Sequence, residues 1–121
     1  MWLGQDYRRI STKAQSIIKD SRREERGLAV AGITLVEISR LSSCGKVSLK
    51  PDAETVVAEV ERRFVILPIT ANIALQAYAL PASYPKDPAD RIIGATALVE
   101  DIPLLTADRA IRNSKAIPTI W

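Results

Sequence analysis

A chain of 121 residues, 47% hydrophobic and 26% charged, has the size and make-up of one globular domain with a single core. No apolar run approaches the roughly 20 residues of a membrane-spanning helix, no signal-peptide pattern opens the chain, and the lone cysteine, Cys44, has no partner for an internal disulfide, so a reducing cytoplasm is expected. Seventeen basic against fourteen acidic residues leave a net charge of +3, compatible with a nucleic-acid partner, and the absence of histidine excludes Ser-His-Asp triads and histidine-bound zinc.

In chain order, residues 1–4 are too short to assign. Ser11 is a candidate N-cap for a helix that turns Ala14, Ile17 and Ile18 inward, with Ile10 as a staple residue. The mixed-charge stretch 19–26 reads as its solvated end, with ion pairs three and four residues apart, and its arginines leave open a weak phosphate contact. Residues 28–33 form a continuous apolar run of strand length, as a strand covered on both faces requires. Thr34 then starts a helix through Leu35, Val36, Ile38 and Leu41 that stops near Gly45, and Glu37 stands at capping-box spacing from Thr34.

A loop over 46–51 leads to an amphipathic helix over 52–63 with Val56, Val57 and Val60 inward. Residues 64–67 form the next strand. Thr70 caps a helix through Ile73, Ala74, Ala77 and Leu80, and a turn-rich segment follows in which Pro81 and Pro85 flank Tyr84. Asp87 and Pro88 read as an N-cap and a proline at the first helical position, where no backbone N–H is needed. The helix they open carries Asp90 in its first turn and a stripe of Ile92, Ile93, Thr96, Ala97 and Val99. Residues 102–105 form a short buried strand, Asp108 begins a short helix through Ile111, and 116–121 end the chain as an edge strand containing Pro118. Helices alternating with short apolar strands predict one three-layer α/β domain over 1–121 with a mainly parallel sheet.

Glu37, Asp90 and Asp108 each follow a strand end or open a helix, so a parallel sheet would bring all three to one rim. Carboxylates gathered in one place raise one another's pKa unless a cation is present. A hard divalent ion, Mg2+ or Mn2+, suits oxygen ligands and can activate water for displacement at phosphorus. Each acid also has a local explanation. Glu37 could close a capping box, Asp90 suits the helix dipole, and Asp108 could cap the helix after it.

Three stretches carry a resemblance: Ile33-Thr-Leu-Val-Glu37-Ile-Ser, Asp87-Pro-Ala-Asp90-Arg91 with Ile93-Gly-Ala-Thr-Ala97, and Leu105-Thr-Ala-Asp108-Arg. They are similar, in this order and over nearly the whole chain, to PIN-domain ribonucleases, and in particular to VapC-type toxins of toxin–antitoxin pairs. The resemblance implies a three-layer α/β/α fold and a divalent-metal endoribonuclease. In it Glu37, Asp90 and Asp108 bind Mg2+ or Mn2+ and activate water, Thr106 assists beside Asp108, and Asp87 is an N-cap or outer acid. Arg91 and Arg109 are expected to be structural or phosphate-facing. RNA as substrate, a cognate antitoxin as protein partner, and a homodimer, common in the family, are implied as well.

The resembled family opens with a central hydrophobic strand that ends in an aspartate, and residues 1–4 correspond to the helix that follows it. The first strand and its acid are thus expected to be missing, with Asp6 a loop acid and no substitute. The alternative to an active nuclease is a catalytically impaired PIN-like module that binds an antitoxin. A nucleotide-binding domain is disfavoured, because no glycine-rich phosphate loop follows any strand.

Overall fold

The structure is a computed structural model that describes residues 28–43 and 52–121, with the side chains of 41–43 excepted, together with helical positions at Lys13 and Ser16. The expectations for the first strand, for the helix begun by Ser11, for the charged stretch 19–26 and for the 46–51 loop lie outside these residues.

The described chain runs β1 (Ala29–Ala31), α1 (Ile33–Ser43), α2 (Ala53–Arg63), β2 (Val65–Leu67), α3 (Ala71–Ala79), α4 (Pro88–Val99), β3 (Leu104–Leu105), α5 (Arg109–Ser114) and β4 (Thr119–Ile120). The alternation and the parallel pairing are those of an α/β domain. β1 pairs with β2 in the register Val30 to Ile66, and β3 pairs with β4 in the register Leu104 to Thr119. The strands group as two separate pairs among the described residues.

Local chemistry explains most of the boundaries. Asp52 and Thr70 each cap a helix through a side-chain oxygen that accepts the N–H of Thr55 (2.9 Å) or Ile73 (3.2 Å). Asp87 caps α4, accepting from Ala89 N–H at 2.8 Å and Asp90 N–H at 3.4 Å, and Pro88 occupies the first helical turn. α4 ends with the paired backbone bonds of a Schellman motif. Asp101 N–H reaches Leu98 O at 3.2 Å and Ile102 N–H reaches Ala97 O at 3.0 Å. Asp101 sits in the left-handed region there, with φ of 55°, a conformation that costs an L-residue roughly 1 kcal/mol and glycine nothing. Asp101→Gly is therefore expected to raise the thermal midpoint by about 4 °C. An unchanged midpoint in a calorimetric scan would show the strain to be absorbed elsewhere.

The core divides into groups that meet on α4. Val30, Ile38 and Val60 are buried together between β1, α1 and α2. Ile73 and Ala77 of α3 pack on Ala95 of α4, with Ile92 and Val99 beside them. Leu80, Tyr84, Ala97, Leu104, Ile111 and Ile117 form the third group, joined by Ile93. Successive faces of α4 thus serve different groups, and α4 also touches α1 and β1.

Candidate active site

Asp90 is the centre of the site. It stands in the first turn of α4, half-buried beneath the cap at Asp87. Burial raises its pKa above the ordinary aspartate value, and the negative charges of Asp87, Asp108 and Glu37 raise it further, in that order. Negative charge from the acids at 87, 108 and 37 thus bears on Asp90, that of Asp87 most strongly.

The other acids arrive from two separate elements. Asp108 follows β3 and caps α5, its Oδ1 accepting the N–H of Ile111 at 3.0 Å. The buried Thr106 hydroxyl accepts the backbone N–H of Asp108 at 3.1 Å, a short local turn that sets the direction of this acid. Glu37 comes from α1, and here the sequence expectation needs correcting. Gly32 O accepts the N–H of Leu35 at 3.1 Å, so the helix opens at Ile33. Thr34 is then inside the helix rather than at its cap, and Glu37 lies beyond the first turn. Its Oε2 accepts from Arg40 at 3.0 Å (Nη2) and 3.3 Å (Nε). Thr34 is 7% exposed, and its hydroxyl finds no hydrogen-bond partner among the described residues.

Carboxylate oxygens, excess negative charge and an orphaned hydroxyl on the helix that carries Glu37 are a donor set suited to a hard divalent cation. Among the described residues, however, no group of three or more acids is placed to hold one ion. Glu37 leans on Arg40, and one oxygen of Asp108 is committed to its helix cap. The ligand chemistry fits; the acids stand apart.

Tyr84, which sequence reasoning placed only in a turn, holds the backbone of Asp90 in position. Tyr84 is 1% exposed, and its hydroxyl donates to the backbone carbonyl of Asp90 at 2.6 Å. Burial, and then the charges of Asp90 and Asp108, push its phenol well above the ordinary tyrosine value. The ring lies against Gly94, one turn beyond Asp90, where a Cβ would stand 2.6 Å from Cζ. The only hint in the sequence was a tyrosine between two prolines and a glycine one helical turn past an acid. Arg91 is 9% exposed and donates to the carbonyls of Ala77 (3.1 Å), Leu80 (3.4 Å) and Tyr84 (3.5 Å). It ties the end of α3 to the start of α4. Arg109 is exposed at the first position of α5.

A parallel α/β arrangement with candidate acids on α1, α4 and the β3–α5 turn defines a class, and comparison with known proteins gives it a name. The PIN domain family matches residues 7–116, and the chain belongs to that family. Ribonuclease VapC22 of Mycobacterium tuberculosis is 32% identical over 122 residues, spanning 99% of this chain and 91% of that protein. Among solved structures, VapBC2 from Rickettsia felis, bound to a DNA fragment from its promoter, aligns with a TM-score of 0.69 over 91% of this chain and 85% of that one. At 15% identity this last likeness bears on the fold alone.

Proposed function

We propose that this chain is the ribonuclease of a toxin–antitoxin pair: a VapC-type, divalent-metal-dependent endoribonuclease acting in the cytoplasm, with a cognate antitoxin as its protein partner and a homodimer as its own assembly. The observation that carries this reading is the PIN domain match over residues 7–116, which takes in Glu37, Asp90, Thr106 and Asp108 in one continuous unit. The relative at 32% identity, itself a ribonuclease by name, supports the same reaction class.

In this reading Glu37, Asp90 and Asp108 would hold Mg2+ or Mn2+. A bound ion supplies counter-charge to the phosphodiester and polarises water for attack at phosphorus. The protein's own part is positional. Tyr84 and the Asp87 cap fix the backbone of the turn that carries Asp90. Thr106 orients Asp108, and Glu37 would have to give up its pairing with Arg40 to serve as a ligand. Asp87 adds negative charge from outside the ligand set. The net charge of +3 favours approach of an RNA strand over repulsion.

The test is cleavage of a mixed-sequence RNA with Mg2+ and with chelator, comparing the chain with Asp90→Asn. Cleavage that depends on the metal and falls by about a hundredfold in the variant is expected; equal rates would remove Asp90 from the site. A stability control separates lost chemistry from lost fold. Because the folded-state pKa of Asp90 is raised, its contribution to stability is fully present below the ordinary aspartate pKa and is lost as pH rises through the folded value. In metal-free buffer at pH 7 the charged carboxyl is a net cost, so Asp90→Asn is expected to melt above the parent, and the difference to vanish in acid. Calorimetric titration with Mn2+ distinguishes the impaired-module alternative, which predicts no tight site.

A further inference from the structure

The cations of α1 and α2 are answered by acids of their own helices: Arg40 by Glu37, and Arg62 and Arg63 by Glu59. The last helix differs. Arg109, Arg112 and Lys115 recur every third residue along α5 and its C-cap, which sets them on one side of the helix. Among the described residues none of the three takes part in an ion pair. Residues 102–121 hold these three bases against one acid, Asp108, and so supply two units of the chain's net +3. Asp108 is itself occupied, with Oδ1 on the N–H of Ile111.

Two of the three stand where folding alone would not put a cation. Arg109 opens α5, at the end where the helix dipole disfavours positive charge. Lys115 closes it with φ of 54°, a left-handed conformation that glycine takes freely and lysine does not. Strain that is kept in place points to a use for the side chain. Arg112, in the last turn, is the one that the dipole accounts for.

Position indicates the ligand. The row starts at the residue next to Asp108, so it leads away from the acids whose charge bears on Asp90. Those acids repel phosphates, and the row attracts them. A rigid duplex would press several phosphates of both strands against the acids. A single strand can bend, so that one phosphate meets the acids while its neighbours follow the cations.

We propose that Arg109, Arg112 and Lys115 form a track for the backbone of single-stranded RNA, holding the phosphates next to the one that is cleaved. This rests on the ribonuclease reading above and names the contacts that hold its substrate. It is tested without cleavage, so the two can fail separately.

The experiment is fluorescence anisotropy of a labelled, mixed-sequence single-stranded RNA in chelator, titrated with the chain at salt concentrations from about 50 to 200 mM. Each phosphate contact contributes about 0.7 to the slope of log affinity against log salt. The variant Arg109→Gln, Arg112→Gln, Lys115→Gly is expected to lower that slope by about 2. Arg62→Gln with Arg63→Gln, which removes cations that Glu59 already answers, should leave it unchanged. Lys115→Gly alone should bind more weakly and yet melt about 4 °C higher, a combination that damage to the fold does not give. Should the triple variant fail to melt cooperatively, Arg109→Gln carries the test, with a slope lower by about 0.7. A parent that binds no RNA, a slope unchanged in the α5 variants, or an equal fall in the α2 control would overturn the proposal. So would tighter binding of a duplex of the same sequence, or a Lys115→Gly chain that loses binding only as it loses stability.

Discussion

An Arg91→Met chain is expected to lose about 3 to 4 kcal/mol of stability, read as a fall of roughly 12 to 16 °C in the thermal midpoint. The side chain sizes are similar, so little of this is cavity. The loss comes from carbonyls. The oxygens of Ala77, Leu80 and Tyr84 have the guanidinium of Arg91 as their donor, and a thioether gives them none. The bond to Ala77 at 3.1 Å is the strongest by geometry, with the other two near the outer limit. A cation at the end of α3 also opposes the negative pole of that helix. Lysine is expected to rescue only part of the loss, since one ammonium cannot reproduce a planar fork aimed at three carbonyls. A melt within 3 °C of the parent would mean that water replaces the guanidinium at little cost.

Gly94→Ala is expected to cost about 3 kcal/mol, although alanine is the better helix former. The added Cβ would overlap the Tyr84 hydroxyl and stand 2.6 Å from Cζ and 3.0 Å from Cε2. The ring is fully buried and cannot step aside cheaply. Tyr84→Phe alone should cost about 1 kcal/mol through the lost bond to the Asp90 carbonyl. Combined with Gly94→Ala it should cost less than the sum, because removing the hydroxyl removes the worst overlap. Denaturant melts of the four chains give the coupling directly, and strict additivity would contradict the packing described. Gly94→Ala should also slow cleavage to the fraction of chains that remains folded.

What was legible in the sequence was local. Asp52, Thr70 and Asp87 announce their helices because a capping side chain lies within three residues of the N–H it satisfies. The apolar runs at 28–33 and 64–67 mark β1 and β2, although only β1 is largely buried and Val65 of β2 is 53% exposed. Thr34 and Glu37 had the right spacing for a capping box, but the chain leaves β1 through Gly32, whose carbonyl starts the helix two residues earlier than a cap at Thr34 would. Spacing does not say where a helix begins. Arg91 was marked as structural or phosphate-facing, and the structure gives it a buried structural task. Its partners are 7 to 14 residues away in sequence, so no window around it could name them. The fit of Tyr84 to Gly94 was hidden likewise. Parallel α/β topology predicts that Glu37, Asp90 and Asp108 approach one rim, but among the described residues no three acids are placed to hold one ion, and that separation was not readable.

The division of the strands into two pairs bears on how the molecule loses its function. Glu37 rides on the part built from β1, β2, α1 and α2, while Asp108 rides on the part built from β3, β4 and α5. Asp90 stands between them on the helix that both parts share. The candidate acids therefore lie on separately packed groups, and such groups can part before either melts. Amides around Asp90 are then expected to exchange through a local opening of lower free energy than global unfolding.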